Sequence, residues 1–338
     1  MTPAIFGLTG LTLTADERAF FRECDPAGYI LFGRNIETME QVRALTDDLR
    51  AIHGREKLLV SIDQEGGRVA RFRPPHFEAW PAAAAFDELF ELAPSSAIAA
   101  ARANANAMGL ELAEAGVTVD YHPPLDVRQA GAHDVIGDRA FGFEPMRVAA
   151  LGRATLEGLA LAGVAGCIKH MPGHGRSMCD THKELPVVTA SEEELETDLA
   201  PFRTLNDAPI GMTGHLVFPV WDAERPATQS PTVIREVIRG KIGFDGLLLT
   251  DDIDMEALSG TVPERAAIAV RAGCDIALNC WAKMDDMTGI AERLPSMSGE
   301  TAARLKRALA VTATAPEGDK VELLAKRDEL LAIVAANA

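Results

Sequence analysis

Short runs of aliphatic and β-branched residues recur along the chain, at 4–8, 28–32, 58–62, 117–120, 166–169, 210–213, 247–250 and 276–279. Each is of strand length and nearly uniformly apolar, as expected of strands covered on both faces. Between them lie stretches with Ala, Leu, Glu and Arg at helical spacing, including 39–53, 96–115, 145–162, 191–205 and 232–241. Strand and helix alternating in this way predict a parallel (β/α)8 barrel, with a doubly wound open sheet as the alternative. Two further helices, at 301–311 and 320–337, follow the last strand and read as outer helices closing the barrel. No low-complexity linker or internal repeat divides the chain, so residues 1–338 are expected to form one catalytic barrel domain, with 299–338 as its C-terminal helices.

Polar residues fall where such a barrel would place a site. Asp63 follows the third strand, His122 the fourth, His170 the fifth, His215 the sixth, and Asp251 with Asp252 the seventh. In a parallel barrel these strand ends converge on one face. An isolated aspartate there has a plainer explanation as a helix cap. Several together point to a site.

The densest chemistry lies at 168–186, where a buried strand opens into a charged loop. Lys169, His170, His174, Arg176, Asp180 and His182 crowd this stretch, although the chain has only eight histidines. Gly173 and Gly175 give it backbone freedom at positive φ and the makings of a hinge. Asp180 and His182, at i and i+2, share a side only on extended backbone. A carboxylate beside an imidazole fixes its tautomer and raises its basicity, which suits general acid and base work. The same histidines with Asp180 could instead ligate a metal, but Lys169 and Arg176 would repel a cation. No metal or cofactor is therefore expected. Asp251, immediately after an apolar strand, is placed to act as a nucleophile or to stabilise developing charge. The Gly66–Gly67 pair lacks phosphate-loop spacing and reads as a tight turn, and 137–142 reads as a second charged turn. An aspartate that accepts two hydroxyls, with arginines and a lysine as donors, would make a polyol or amino-sugar pocket.

Composition narrows the partners. A net charge of −17 argues against nucleic acid and anionic membranes as partners. No apolar run is long enough for a membrane span, and the N-terminus lacks a secretory signal, so a cytoplasmic location is expected. The five cysteines include no C-x-x-C pair, against a disulfide framework or structural zinc site, and Cys179 beside Asp180 reads as a bystander.

Taken in order, Asp63-Gln64-Glu65-Gly66-Gly67-Arg68-Val69, the Arg139 turn, Lys169-His170-Met171-Pro172-Gly173-His174-Gly175, Asp180-Thr181-His182 and Thr250-Asp251-Asp252 resemble the motif set of the β-N-acetylglucosaminidases of glycoside hydrolase family 3. The likeness runs from about residue 28 to 280. It implies a retaining β-N-acetylhexosaminidase in which Asp251 is the nucleophile and His182 the acid/base, oriented by Asp180. It also implies that Asp63, Arg71, Arg139, Lys169 and His170 bind the sugar ring. The implied substrate is an amino sugar or muropeptide, acted on by a soluble protein, expected to be a monomer, in cell-wall recycling. Met171 stands where the family usually has Phe, and Ile253-Asp254-Met255 where Leu-Ser-Met is common, the latter adding a charge near the site. A phosphorylase, a substrate-assisted hexosaminidase, a metal-dependent hydrolase and a non-catalytic sugar-binding protein are the competing readings.

Overall fold

The computed structural model describes residues 1–129, 131, 136–177 and 185–337. Its ten strands are β1 Thr2–Gly7, β2 Pro26–Leu31, β3 Leu59–Ile62, β4 Val119–Asp120, β5 Ala165–Met171, β6 Ile210–Thr213, β7 Val217–Phe218, β8 Asp222–Pro226, β9 Leu247–Asp252 and β10 Ile276–Asn279. Eight of them close a barrel in the order β1-β10-β9-β6-β5-β4-β3-β2, and every pairing around it is parallel. The open-sheet alternative is thereby excluded. The extra pair, β7 and β8, is an antiparallel hairpin in the long connection between β6 and β9.

Alternation along the strands builds two layers. Ile5, Ile30, Leu59, Val119, Cys167, Ile210, Leu249 and Ile276 point inward and share one cluster. Their neighbours Phe6, Leu31, Val60 and Ala277 point outward into a shell completed by the surrounding helices. Helices anticipated from periodicity lie at Met39–His53, Pro94–Glu114, Pro145–Leu161 and Glu192–Thr204. The stretch expected as an ordinary helix at 232–241 is wound as a π-helix over Val233–Ile242. Further helices at Ala15–Cys24, Ala83–Leu92, Val262–Ala272 and Met284–Arg293 complete the ring.

The two C-terminal helices divide the work. Lys320–Asn337 lies outside, where Lys320 Nζ meets Glu111 at 2.6 Å and Arg327 reaches Asn104 at 3.4 Å on the Pro94–Glu114 helix. Helix Gly299–Ala308 does not join the outer ring, because Leu305, Ala308 and Leu309 pack into the inner barrel cluster. It stoppers the end of the barrel opposite the strand C-termini. Asp275 fixes it there by accepting from Thr301 Oγ1 at 3.0 Å and Arg304 at 3.1 Å. No helix among the described residues is long and apolar enough to cross a membrane.

Candidate active site

The loop after β3 is shaped by backbone requirements before any chemistry. Gly66 and Gly67 adopt φ of 96° and 54°, and a Cβ on Gly66 would lie 2.1 Å from the Pro81 carbonyl oxygen, so this is the tight turn expected from sequence. Gln64 folds the loop back on itself, accepting from the amides of Arg71 at 2.8 Å and Phe72 at 3.0 Å. That return brings the Arg71 guanidinium to Asp63, at 3.0 Å.

Lys169, on β5, completes a cluster of opposed charges. Its ammonium is 3.1 Å from Asp63 Oδ1 and 2.6 Å from Glu65 Oε1, and Arg139 grips Glu65 through Nε and Nη2, both at 2.8 Å. Burial alone would raise both carboxyls. The Lys169 ammonium and Arg71 guanidinium outweigh it at Asp63, and the Arg139 guanidinium and Lys169 at Glu65, so Asp63 is held below the usual range and Glu65 well below it. Burial would likewise strip Lys169 of its proton, but Glu65 and Asp63 outweigh it and raise its pKa. Asp63, Arg71, Arg139, Lys169 and His170 all line one cavity of about 170 Å³ with Asp251.

His170 and His174 are organised by Asp126, a fully buried carboxylate after β4. Its Oδ2 lies 2.7 Å from His170 Nδ1, while Oδ1 accepts from the amides of His170 at 3.2 Å and His174 at 2.7 Å. Since an ionised carboxylate only accepts, His170 carries its proton on Nδ1 and leaves Nε2 as the other ring nitrogen. Burial, reinforced by His170, pushes His174 down to about 4. The peptide bond between Lys169 and His170 is cis. Met171 is buried and packs on Gly211.

The paired aspartates end β9 with opposite character. Burial favours the neutral form of Asp251, but His170, His215 and the Asp252 amide, which donates to Asp251 Oδ1 at 2.8 Å, hold it below the usual carboxylate range. Burial and neighbouring Asp254 push Asp252 well above that range. Asp252 Oδ1 instead accepts from the amides of Asp254 at 3.1 Å and Cys280 at 3.2 Å, so it fixes the loops after β9 and β10. Two carboxyls whose environments drive their pKa values apart have separate tasks, and the one left ionised is Asp251. His215 supports this strand end: Nε2 donates to the Asp252 carbonyl at 2.9 Å, which leaves Nδ1 to accept from Thr228 Oγ1 at 2.8 Å. Asp254 lies beside the site, as expected of the added charge, and acts on neighbouring Asp252, while its Oδ2 accepts from Asn279 Nδ2 at 2.7 Å and from the amides of Cys280 and Trp281.

Asp180 and His182, the dyad named from sequence, lie outside the described residues, as does Cys179. Before them, Gly173 has φ of 140°, as a flexible glycine would. Gly175 does not: it is required by space, since a Cβ there would lie 1.8 Å from the Val127 carbonyl oxygen. The positive φ expected at Gly175 is therefore not adopted, and close backbone contact is what excludes a side chain there. Among the described residues no group of three or more His, Cys, Asp or Glu side chains could hold a metal ion.

Sequence reasoning missed Glu65 and Asp126 as parts of the site, whereas it named His215 among the strand-end residues that point to one. Glu65 lies within the quoted Gly-Gly motif, and its neighbour Arg68 drew no special role either. His215 was visible at the end of the sixth strand. Asp126 gave no signal of its own, being one aspartate in a proline-rich turn.

The sequence profile of the glycosyl hydrolase family 3 N-terminal domain matches residues 8–312. A beta-hexosaminidase of Bordetella avium is 38% identical over 325 residues, covering 95% of this chain and 91% of that protein. Another, from Alkalilimnicola ehrlichii, is 40% identical over 283 residues, covering 82% of this chain and 80% of its own. Among solved structures, native NagZ from Neisseria gonorrhoeae superposes with a TM-score of 0.85 at 32% identity, across 99% of this chain and 97% of that one. A family 3 beta-N-acetylglucosaminidase from Paenibacillus gives a TM-score of 0.85 at 32% identity, over 97% of this chain and 67% of that one.

Proposed function

Since the chain belongs to glycosyl hydrolase family 3 and is a glycoside hydrolase, we propose that it releases terminal non-reducing β-linked N-acetylglucosamine with retention at the anomeric carbon. The observation that carries this reading is the placement of Asp251 at the end of β9 in a cavity that also holds the Asp63, Lys169 and Arg139 cluster, while Asp252 is turned into backbone amides. Asp63, Glu65 and Asp251 are set against Arg71, Lys169 and Arg139, a balance that suits an uncharged ring rich in hydroxyls.

In the first step the Asp251 carboxylate attacks the anomeric carbon. A glycosyl ester forms as the glycosidic bond breaks, and His182, oriented by Asp180, gives its proton to the departing oxygen. In the second step His182 takes a proton from water, which displaces Asp251 and restores the enzyme. Histidine as acid/base departs from the common two-carboxylate arrangement. A neutral imidazole avoids a further anion beside a substrate that itself carries carboxylates. Asp63, Arg71, Arg139, Lys169 and His170 hold the ring against Asp251. We further take the chain as one catalytic barrel acting in the cytoplasm on N-acetylglucosaminyl-1,6-anhydro-N-acetylmuramyl peptides during peptidoglycan recycling.

Proton NMR of the first-formed product from an aryl β-N-acetylglucosaminide tests the reading. It should show the free β-anomer in buffers with and without phosphate. An α-anomer first would refute retention, and a sugar phosphate would make the enzyme a phosphorylase.

A further inference from the structure

Among the described residues, one cation at this mouth forms no salt bridge. Phe32, at the end of β2, lines the cavity, and its ring is flanked by two guanidinium groups, those of Arg34 and Arg71, each 4.8 Å from the centroid. Arg71 is neutralised by Asp63, as Arg139 and Lys169 are by Glu65. Arg34 is held only by neutral groups: Nε donates to the Leu8 carbonyl at 2.7 Å and Nη2 to the Cys280 carbonyl at 2.5 Å. It forms no salt bridge among the described residues. Asp252 and Asp254 act on it electrostatically but form no salt bridge with it, each accepting instead from backbone amides of the loop after β10.

The position is built rather than incidental. Asn35, fully buried, clamps the turn by accepting from the Phe32 amide at 2.9 Å and donating to the carbonyls of Leu8 at 3.0 Å and Gly10 at 2.8 Å. Gly7 ends β1 without a side chain; a Cβ there would lie 2.2 Å from the Cys280 carbonyl oxygen and 2.9 Å from Arg34 Nη2. That gap lets Arg34 reach across the end of β1 from β2 to the β10 loop. The residue is exposed, whereas Lys169 is buried at the cavity floor. In a protein of net charge −17, a guanidinium fixed at the rim by carbonyl oxygens, with no salt bridge among the described residues, marks a place for an anion.

We infer that Arg34 binds a carboxylate on the leaving group, so that the enzyme selects N-acetylglucosaminides with acidic aglycones over neutral ones. The inference rests on the proposed hydrolase reading, in which the sugar occupies the buried end and the leaving group the rim. It commits to the chemistry of the group recognised, a carboxylate, and to the residue that reads it.

Binding of two non-hydrolysable thioglycosides, phenyl and 4-carboxyphenyl β-N-acetylthioglucosaminide, separates the two claims when measured by calorimetry on the full chain. The native protein should bind the carboxylated ligand more tightly, with the preference shrinking in high salt. Arg34→Gln should reduce the ratio of the two Kd values about tenfold, and Arg34→Lys should keep most of it. Taking the ratio within each variant cancels any general loosening of the loop. No preference in the native protein, or the same ratio in Arg34→Gln, overturns the role of Arg34. Hydrolysis of 4-nitrophenyl β-N-acetylglucosaminide by the native protein, measured alongside, judges the parent reading separately.

Discussion

Asp126→Asn removes one negative charge and disrupts one hydrogen bond, that with His170 Nδ1. The asparagine is nearly isosteric, and its amide oxygen can still accept from the backbone amides of His170 and His174, now 3.2 and 2.7 Å from Asp126 Oδ1. Its NH2 group, however, would face His170 Nδ1, which donates across 2.7 Å in the native protein. Two donors cannot share that contact, so the imidazole must move its proton to Nε2 or rotate away. A buried hydrogen bond to a charged group contributes about 1.5–3 kcal/mol. Its loss, together with an altered ring nitrogen toward the sugar, should lower kcat/KM about 10- to 150-fold at 1.36 kcal/mol per decade. The assay is steady-state hydrolysis of an aryl β-N-acetylglucosaminide, paired with 15N NMR of the histidine rings to read which nitrogen is protonated. A kcat/KM within threefold of native, with His170 still protonated on Nδ1, would refute the positioning role of Asp126.

Other consequences concern proton transfer and acid stability. His182→Ala should slow substrates with poor leaving groups far more than activated aryl glycosides in the first step, since a good leaving group needs little protonation. Equal damage across a series of phenols, without glycosyl-enzyme accumulating, would remove His182 from that role. His122 is buried, with burial pushing its pKa down to about 4. A depressed histidine pKa makes the unfolded chain bind the extra proton first, so its contribution to stability is present above pH 6.5 and declines as pH falls toward 4. Between pH 7 and pH 5 this amounts to about 2 kcal/mol. Urea unfolding should show the His122→Asn variant losing about that much less stability than native over the same interval; an unchanged difference would refute it.

The barrel was legible because its signal is repetitive. Each strand carries an apolar run long enough to read alone, and all eight expected strands occur, though β4 shrinks to Val119–Asp120 because the chain around it bonds outside the regular ladder. The residues lining the cavity were legible because they lie at strand ends and within motifs. What the sequence hid is what depends on partners distant along the chain. Glu65 and Arg139 are far apart in sequence, and the same holds for Asp126 and His170. Only the closed fold shows that Asp252 is turned into backbone amides while Asp251 is left ionised, because adjacent identical residues differ through their surroundings alone. Gly175 illustrates the opposite failure: a glycine reads as conformational freedom in sequence, yet here it answers a steric demand from Val127.

The central claim is that Asp251 becomes covalently bound to the sugar. Incubation with a 5-fluoro N-acetylglucosaminyl donor, which slows breakdown of the intermediate, followed by proteolysis and mass spectrometry, addresses it directly. The account predicts one added fluorosugar per chain, on the peptide containing residues 247–252, with fragmentation assigning it to Asp251 and with no label in Asp251→Asn. A label on Asp252, or turnover of the donor with no covalent adduct at any time, would contradict it.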